Sequence, residues 1–208
     1  MEPKWNAVYR EHGILIGEPA AELVRLVPRL KAEGAREVLD AGCGAGRNSD
    51  YLAREGFITH AIDPSDVAIG LARGRPYGGL VDYRVADITS MPYADGSMDF
   101  VLASHTLEYA GPAAAGELGR VLKGGRPLLV RVLSTEHYLH NRPADEIEGF
   151  NQAVAAIRAG NPPRFFSEAE ISELFGGYEI ERLEHLSYPA KGRLTIPLKE
   201  WLLFAYKK

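Results

Sequence analysis

The sequence predicts an α/β protein built on a doubly wound, seven-stranded, mostly parallel sheet whose last strand runs antiparallel. Two observations carry that expectation. Over residues 37–133 short apolar runs alternate strictly with segments of helical periodicity, the rhythm of repeated βα units. The first of these runs, within VLDAGCGAGRN (Val38 to Asn48), passes directly into glycines at 42, 44 and 46, and a helical pattern starts at Arg47. A sheet of this kind takes its ligand at the carboxyl ends of the strands, where the strand order reverses.

Residues 4–33 read as helical with a break near Gly13 to Gly17, and Leu23, Leu26, Val27 and Leu30 give the second helix one apolar face that Pro28 interrupts. EVLDAG is the first strand. RNSDYLAREG is the helix after it, FITHAID the second strand, SDVAIGLARG the next helix and VDYRVAD the third strand. SMDFVLAS makes the fourth strand, AAAGELGRVLKGG a helix closed by Gly124 and Gly125, and RPLLVRVLS the fifth strand. Over residues 134–166 the rhythm stops, in a segment rich in His, Arg, Asn and Pro with one helical stretch from Pro143 to Ala159. Ser167 and Glu170 then form a capping box for EAEISELFGG. YEIERLEHLSY and KEWLLFAYKK alternate as strands, and the short PAKGRLTIP between them makes them antiparallel neighbours.

At 208 residues the chain suits one core rather than two. Residues 1–208 therefore read as a single domain: an N-terminal helical gate (1–33), a ligand-binding core (34–133), an insertion forming a lid above the strand ends (134–166), and a final helix with a strand pair (167–208). A net charge of −4 gives no general attraction for nucleic acid or an anionic membrane, so a small-molecule partner is expected, with the protein a monomer or homodimer. Six histidines and one cysteine offer no metal-ligand spacing, and a lone cysteine forms no internal disulfide, which points to the cytoplasm. MEPKWNAVYREHG carries charges where a signal peptide needs an apolar stretch, and no run approaches the ~20 apolar residues of a membrane span.

The glycine turn makes a cradle, because a Cβ there would block a ligand and the backbone N–H groups at the following helix start face whatever sits on it. A dinucleotide fingerprint would place its third glycine at Arg47, so a nicotinamide cofactor fits poorly. Asp40 closes the first apolar run. Asp63 ends the second strand about 20 residues after the turn, where a carboxylate accepts both hydroxyls of a ribose; the competing role is a helix N-cap, for which Ser65 is already available. Asp87, closing the third strand, is placed to accept from the amine of an adenine while Ile88 packs on the ring; alone, such an aspartate is a turn residue. Cys43 reads as a small packed residue rather than a nucleophile, since no histidine or acid stands beside it in sequence.

With VLDAGCGAGRN, AIDPS, VADITSMPYADGSMDFVLASHTLEY and GRVLKGGRPLLV in order, residues 36–133 resemble the class I S-adenosylmethionine-dependent methyltransferases. The loop Asp95–Gly96 before Met98-Asp99-Phe100-Val101 fits the family, whereas Gly124 stands where the family usually has proline. Arg47-Asn48-Ser49, Trp5, Tyr9 and FFSEAEISELF are similar to the tellurite-resistance-type branch of small-molecule enzymes, within methyltransferase type 11. The resemblance implies a Rossmann-like fold, with S-adenosylmethionine as cofactor and S-adenosylhomocysteine as product. It implies that Gly42 and Gly44 approach the methionine part, that Asp40 anchors the turn, that Asp63 holds the ribose and that Ser104 offers backbone to the methionine end. Cys43, Arg47, Pro64, Asp87 and Ile88 complete the expected cofactor site, with Trp5 and Tyr9 folding over it or simply packing.

Methyl transfer from a sulfonium is an in-line displacement with an activated donor, so the protein's main task is alignment in a dry pocket. An alcohol or phenol acceptor wants a proton acceptor near the methyl, and His105 is the best-placed candidate, with Tyr109 and Glu108 beside it; its ordinary alternative is a solvent-facing helix-start residue. His137, Tyr138, His140, Arg142, Arg164, Lys191 and Arg193 form a basic, aromatic lid that favours a small anionic acceptor, or else a solvated surface. The rival readings are a non-catalytic sensor of the cofactor, a protein methyltransferase and a nicotinamide oxidoreductase.

Overall fold

In the computed structural model, which describes residues 4–14, 17–137, 140, 162–188 and 198–208, the apolar runs form seven strands. They are β1 (Glu37–Ala41), β2 (Ile58–Asp63), β3 (Val81–Val85), β4 (Phe100–Ser104), β5 (Pro127–Leu133), β6 (Tyr178–Tyr188) and β7 (Leu198–Lys207). The sheet order is β3-β2-β1-β4-β5-β7-β6. β1 to β5 pair in parallel, and β7 runs antiparallel to both β5 and β6. The strand order reverses between β1 and β4, so the ends of those two strands bound the crevice in which such sheets bind ligands.

Burial on both faces explains why the central strands are apolar without alternation. Val38, Phe100, Leu102 and Leu129 pack on one side with Leu23, Val27 and Leu30 of α2 (Ala21–Ala32). Leu39, Val101, Ala103 and Val130 pack on the other, with Leu118 of α6 (Ala113–Val121) and Ile171 of α7 (Glu168–Leu174). Pro28 stays inside α2 because Val27 and Leu30 beside it are fully buried, and packing outweighs the lost backbone hydrogen bond. The remaining helices are α1 (Lys4–His12), α3 (Arg47–Arg54), α4 (Asp66–Arg73) and α5 (Leu107–Ala110).

The capping box at Ser167 and Glu170 forms as expected: the Ser167 hydroxyl accepts from the Glu170 N–H and the Glu170 carboxylate accepts from the Ser167 N–H. Several boundaries differ from the sequence expectation. α6 stops at Val121 rather than at the glycine pair, because Leu122 turns extended and pairs with Met98 ahead of β4. β3 stops at Val85, short of Asp87, and a one-turn helix, α5, follows β4 in a stretch to which the sequence assigned no element. The expected helix at Pro143–Ala159 and the connection before β7 lie outside the described residues. Among those described, no helix is long and apolar enough to cross a membrane, and no three metal-ligating side chains converge.

Candidate functional site

The turn after β1 is held by backbone. The N–H groups of Gly42 and Cys43 both donate to the Ile62 carbonyl of β2 at 2.8 Å, and the Gly46 N–H closes onto Cys43 O. Gly42, Gly44 and Gly46 all have positive φ (79°, 53° and 77°), a region where an L side chain is strained. Space excludes a side chain as well: a Cβ at Gly42 would meet Thr106, and one at Gly44 would lie 2.5 Å from the Tyr9 hydroxyl. Gly46 is different, since its close neighbours are Tyr83 and Ala72, so it serves packing rather than the crevice.

Asp63, buried at the end of β2, accepts the Gly44 N–H on one carboxylate oxygen and the Ser65 N–H on the other, each at 2.9 Å. Ser65, not Asp63, caps α4 by accepting from Ala68 N–H. Each Asp63 oxygen retains a second lone pair. Burial raises the Asp63 carboxyl above the usual range, and the two N–H donors hold it back. Pro64, half-buried, follows it directly.

Asp40 has a separate job. It lies fully inside and accepts from the Ser49 hydroxyl at 2.6 Å, which ties β1 to the first turn of α3. Burial pushes its carboxyl up to about 6, against the pull of Ser49 and Arg47. Cys43 packs with Ala61, Ile69, Ala72 and Tyr83, and burial together with Asp40 and Asp63 pushes its thiol well up, which suits an inert core residue. Arg47 donates to the Glu18 carbonyl at 3.1 Å, and burial lowers its guanidinium from the usual value.

α1 lies against this turn. Asn6 is buried, donates to Asp66 at 2.6 Å and accepts from the Ser65 hydroxyl at 2.5 Å, so α1 is pinned to the start of α4. Tyr9 thereby reaches over Gly44, where burial and the Asp63 carboxylate push its phenol well up. Trp5 packs on Tyr9 and, edge-on at 4.8 Å, on Tyr109 of α5.

Opposite the turn stands the end of β4. The Ser104 hydroxyl is buried with no hydrogen-bond partner among the described residues. Thr106 donates to the Ala41 carbonyl at 3.0 Å and closes the crevice over Gly42. His105 faces Glu108 through Nδ1 at 3.0 Å and Glu200 of β7 through Nε2 at 3.4 Å.

Asp87 is exposed and forms a turn in which its carboxylate accepts from the Thr89 N–H and hydroxyl, and Ile88 lies in the core. Arg164 is exposed and paired with Glu170 at 2.7 Å. His137 is buried, near enough to Glu200 to lower its carboxyl, while His140 packs on Phe165 at 5.0 Å. Tyr138, Arg142, Lys191 and Arg193 lie outside the described residues. Sequence reasoning missed Thr106, Glu200, Arg131 of β5 and Arg75, whose Nε donates to the Ala45 carbonyl of the turn. Only Thr106 had a local signal, as a hydroxyl residue at a strand-to-helix junction.

Known proteins resemble this chain in sequence and in fold. Residues 39–130 match the methyltransferase domain family. The malonyl-[acyl-carrier protein] O-methyltransferase of Enterobacter lignolyticus is 31% identical over 191 residues, covering 90% of this chain and 70% of that protein. The 2-heptyl-1-hydroxyquinolin-4(1H)-one methyltransferase of Mycobacteroides abscessus is 36% identical over 105 residues, 49% of this chain and 45% of that protein. The chain spans about half or less of the length of most of the curated relatives it matches. Among solved structures, an S-adenosylmethionine-dependent methyltransferase from Anabaena variabilis superposes with a TM-score of 0.74 at 15% identity, over 99% of this chain and 94% of that one.

Proposed function

The chain belongs to the class I S-adenosylmethionine-dependent methyltransferases, and we propose that it is an enzyme that methylates a small-molecule acceptor in the crevice between β1 and β4. One observation carries this reading: the buried Asp63 carboxylate at the end of β2, fixed by the Gly44 and Ser65 N–H groups, keeps a second lone pair on each oxygen, which suits the two hydroxyls of a ribose. The cofactor supplies, when bound, a methyl group already activated on a sulfonium. The residues present fit it. The second lone pairs of Asp63 accept ribose hydroxyls, Gly42 and Gly44 let Thr106 and Tyr9 close on the turn, and the buried Ser104 hydroxyl offers an uncommitted polar group at the end of β4.

Trp5, Tyr9 and Tyr109 form an aromatic cover that excludes water, and catalysis rests mainly on holding acceptor and methyl in line. His137 and His140 remain candidates for contacting the acceptor, as do Arg142 and Arg193. Arg164, engaged by Glu170, is better suited to fixing α7. Small acceptors, one of them carrier-bound, in the names of the relatives support the substrate class. The buried free cysteine suits a reducing cytoplasm.

The test is release of S-adenosylhomocysteine on incubation of the full chain with S-adenosylmethionine and a panel of phenols, carboxylic acids, thiols, chalcogen oxyanions and a protein mixture. Turnover of a small molecule is expected. Binding of the cofactor with no turnover across the panel would favour the sensor reading, and turnover of protein alone the protein-methylating one.

A further inference from the structure

On the reading that the chain is a methyltransferase, we propose that Glu108 and Glu200 clamp His105 as a general base, and that the acceptor atom is therefore a hydroxyl oxygen. The first observation is backbone. His105 is the one non-glycine residue among those described with positive φ, at 58°. That conformation is strained for an L side chain and persists only where the surroundings impose it. Here the His105 N–H donates to the Arg131 carbonyl at 2.9 Å and the Thr106 hydroxyl is tied to Ala41, so the turn is held from β5 and β1.

The second observation is the pair of carboxylates. Glu108 has a side chain with 0% exposure, and its Oε1 accepts the Leu133 N–H at 2.9 Å while lying 3.0 Å from His105 Nδ1. A buried carboxylate fixed in this way accepts an Nδ1–H and so sets the tautomer that carries its lone pair on Nε2. Glu108 is thus a positioning residue. On the other side Glu200 Oε1 lies 3.4 Å from Nε2, longer than a good N–H···O bond, while its second oxygen accepts from Arg131 at 2.6 Å. Neutral His105 therefore has its tautomer set on one side, and protonated His105 meets a carboxylate at each nitrogen.

The surrounding charges favour the same cycle. Glu22 of α2 lies 3.4 Å from Arg131, and Arg47 of α3 and His137 after β5 also face the group. Burial alone would raise the Glu200 carboxyl, yet His105 and Arg131 hold it below the usual value. A thiol ionises near pH 8.5 and needs little help, whereas a phenol ionises near 10 and gains from a base in place. In the step itself the acceptor O–H proton passes to His105 Nε2. The oxygen lone pair forms the O–CH3 bond, the S–CH3 bond breaks with its electrons to sulfur, and the proton then leaves to water.

The experiment is a nitrogen NMR titration of histidine-labelled full-length protein, with His105→Gln to assign the ring. The neutral His105 ring is expected as the Nδ1–H tautomer, and Glu108→Gln, whose neutral amide oxygen is a weaker acceptor, should shift the tautomer fraction toward Nε2–H. An Nε2–H tautomer in the wild type, or a tautomer fraction that Glu108→Gln leaves unchanged, would overturn the clamp. Calorimetry on the same samples separates the two readings: failure of the wild type to bind S-adenosylhomocysteine sinks the methyltransferase reading and leaves the titration result standing. In the acceptor panel, hydroxyl compounds should turn over, with kcat falling about 100-fold in His105→Gln. Turnover confined to thiols or chalcogen oxyanions would overturn the assignment of a hydroxyl.

Discussion

Asp63 does two things with one carboxylate, and substitutions separate them. Asp63→Ala removes the acceptors of both Gly44 and Ser65 N–H, so it loosens the turn as well as the expected ribose contact. Asp63→Asn keeps one acceptor and loses the charge. It should weaken S-adenosylhomocysteine binding by roughly 1.5–3 kcal/mol, about 10- to 100-fold, and lower the melting temperature as well, since one N–H then faces the amide NH2; unchanged affinity by calorimetry would leave Asp63 a purely structural residue. Asp40 makes a pH prediction. Its carboxyl is raised to about 6 in the fold, so the folded state binds more protons than the unfolded chain between its ordinary value near 4 and 6. Its contribution therefore becomes unfavourable as pH rises through that window, reaching about 3 kcal/mol above it. Asp40→Asn, which can still accept from Ser49, should be more stable than wild type at pH 7.5 and no more stable below pH 4, as read from urea unfolding at both values. Both aspartates were legible in the sequence because each ends an apolar run. Glu200 and Arg131 were not, because each sits inside a strand pattern and gains its meaning only when β7 pairs with β5.

Local chemistry fixed the element ends unevenly. The start of α7 was readable because its capping box lies within four consecutive residues, and the pair holds the Glu170 carboxyl down at about 2, chiefly through the Ser167 backbone and hydroxyl. Ser167→Ala should cost about 1 kcal/mol of unfolding free energy with cofactor affinity unchanged, measured by urea titration and calorimetry; no loss of stability would mean that tertiary packing alone sets this helix. The end of α6 was misread because a glycine pair is a strong local stop signal, while the actual stop comes from a bridge between Leu122 and Met98, 24 positions apart. α5 escaped notice for a related reason. It has a single turn, too short for any periodicity, and the His105–Glu108 and Arg164–Glu108 contacts hold it in place.

The molecule as a whole places its candidate chemistry at the reversal between β1 and β4, and the βα rhythm was enough to predict that location. The rhythm alone could not show that α1 folds back over the glycine turn; Trp5 and Tyr9 suggested it only through the family resemblance, and Asn6, which pins α1 to α4, gave no signal for a partner about 60 residues away. Binding of S-adenosylhomocysteine should add hydrogen-exchange protection to α1 as well as to residues 42–46, since Tyr9 reaches over Gly44 and Asn6 fixes α1 to α4. Protection confined to residues 40–105 would make α1 passive packing. The most direct test of the cofactor assignment is calorimetry of the full chain with S-adenosylmethionine, S-adenosylhomocysteine and NAD. Saturable binding of both sulfur ligands and markedly weaker binding of NAD is the predicted result; comparable NAD affinity, or a folded protein that binds neither sulfur ligand, would contradict it.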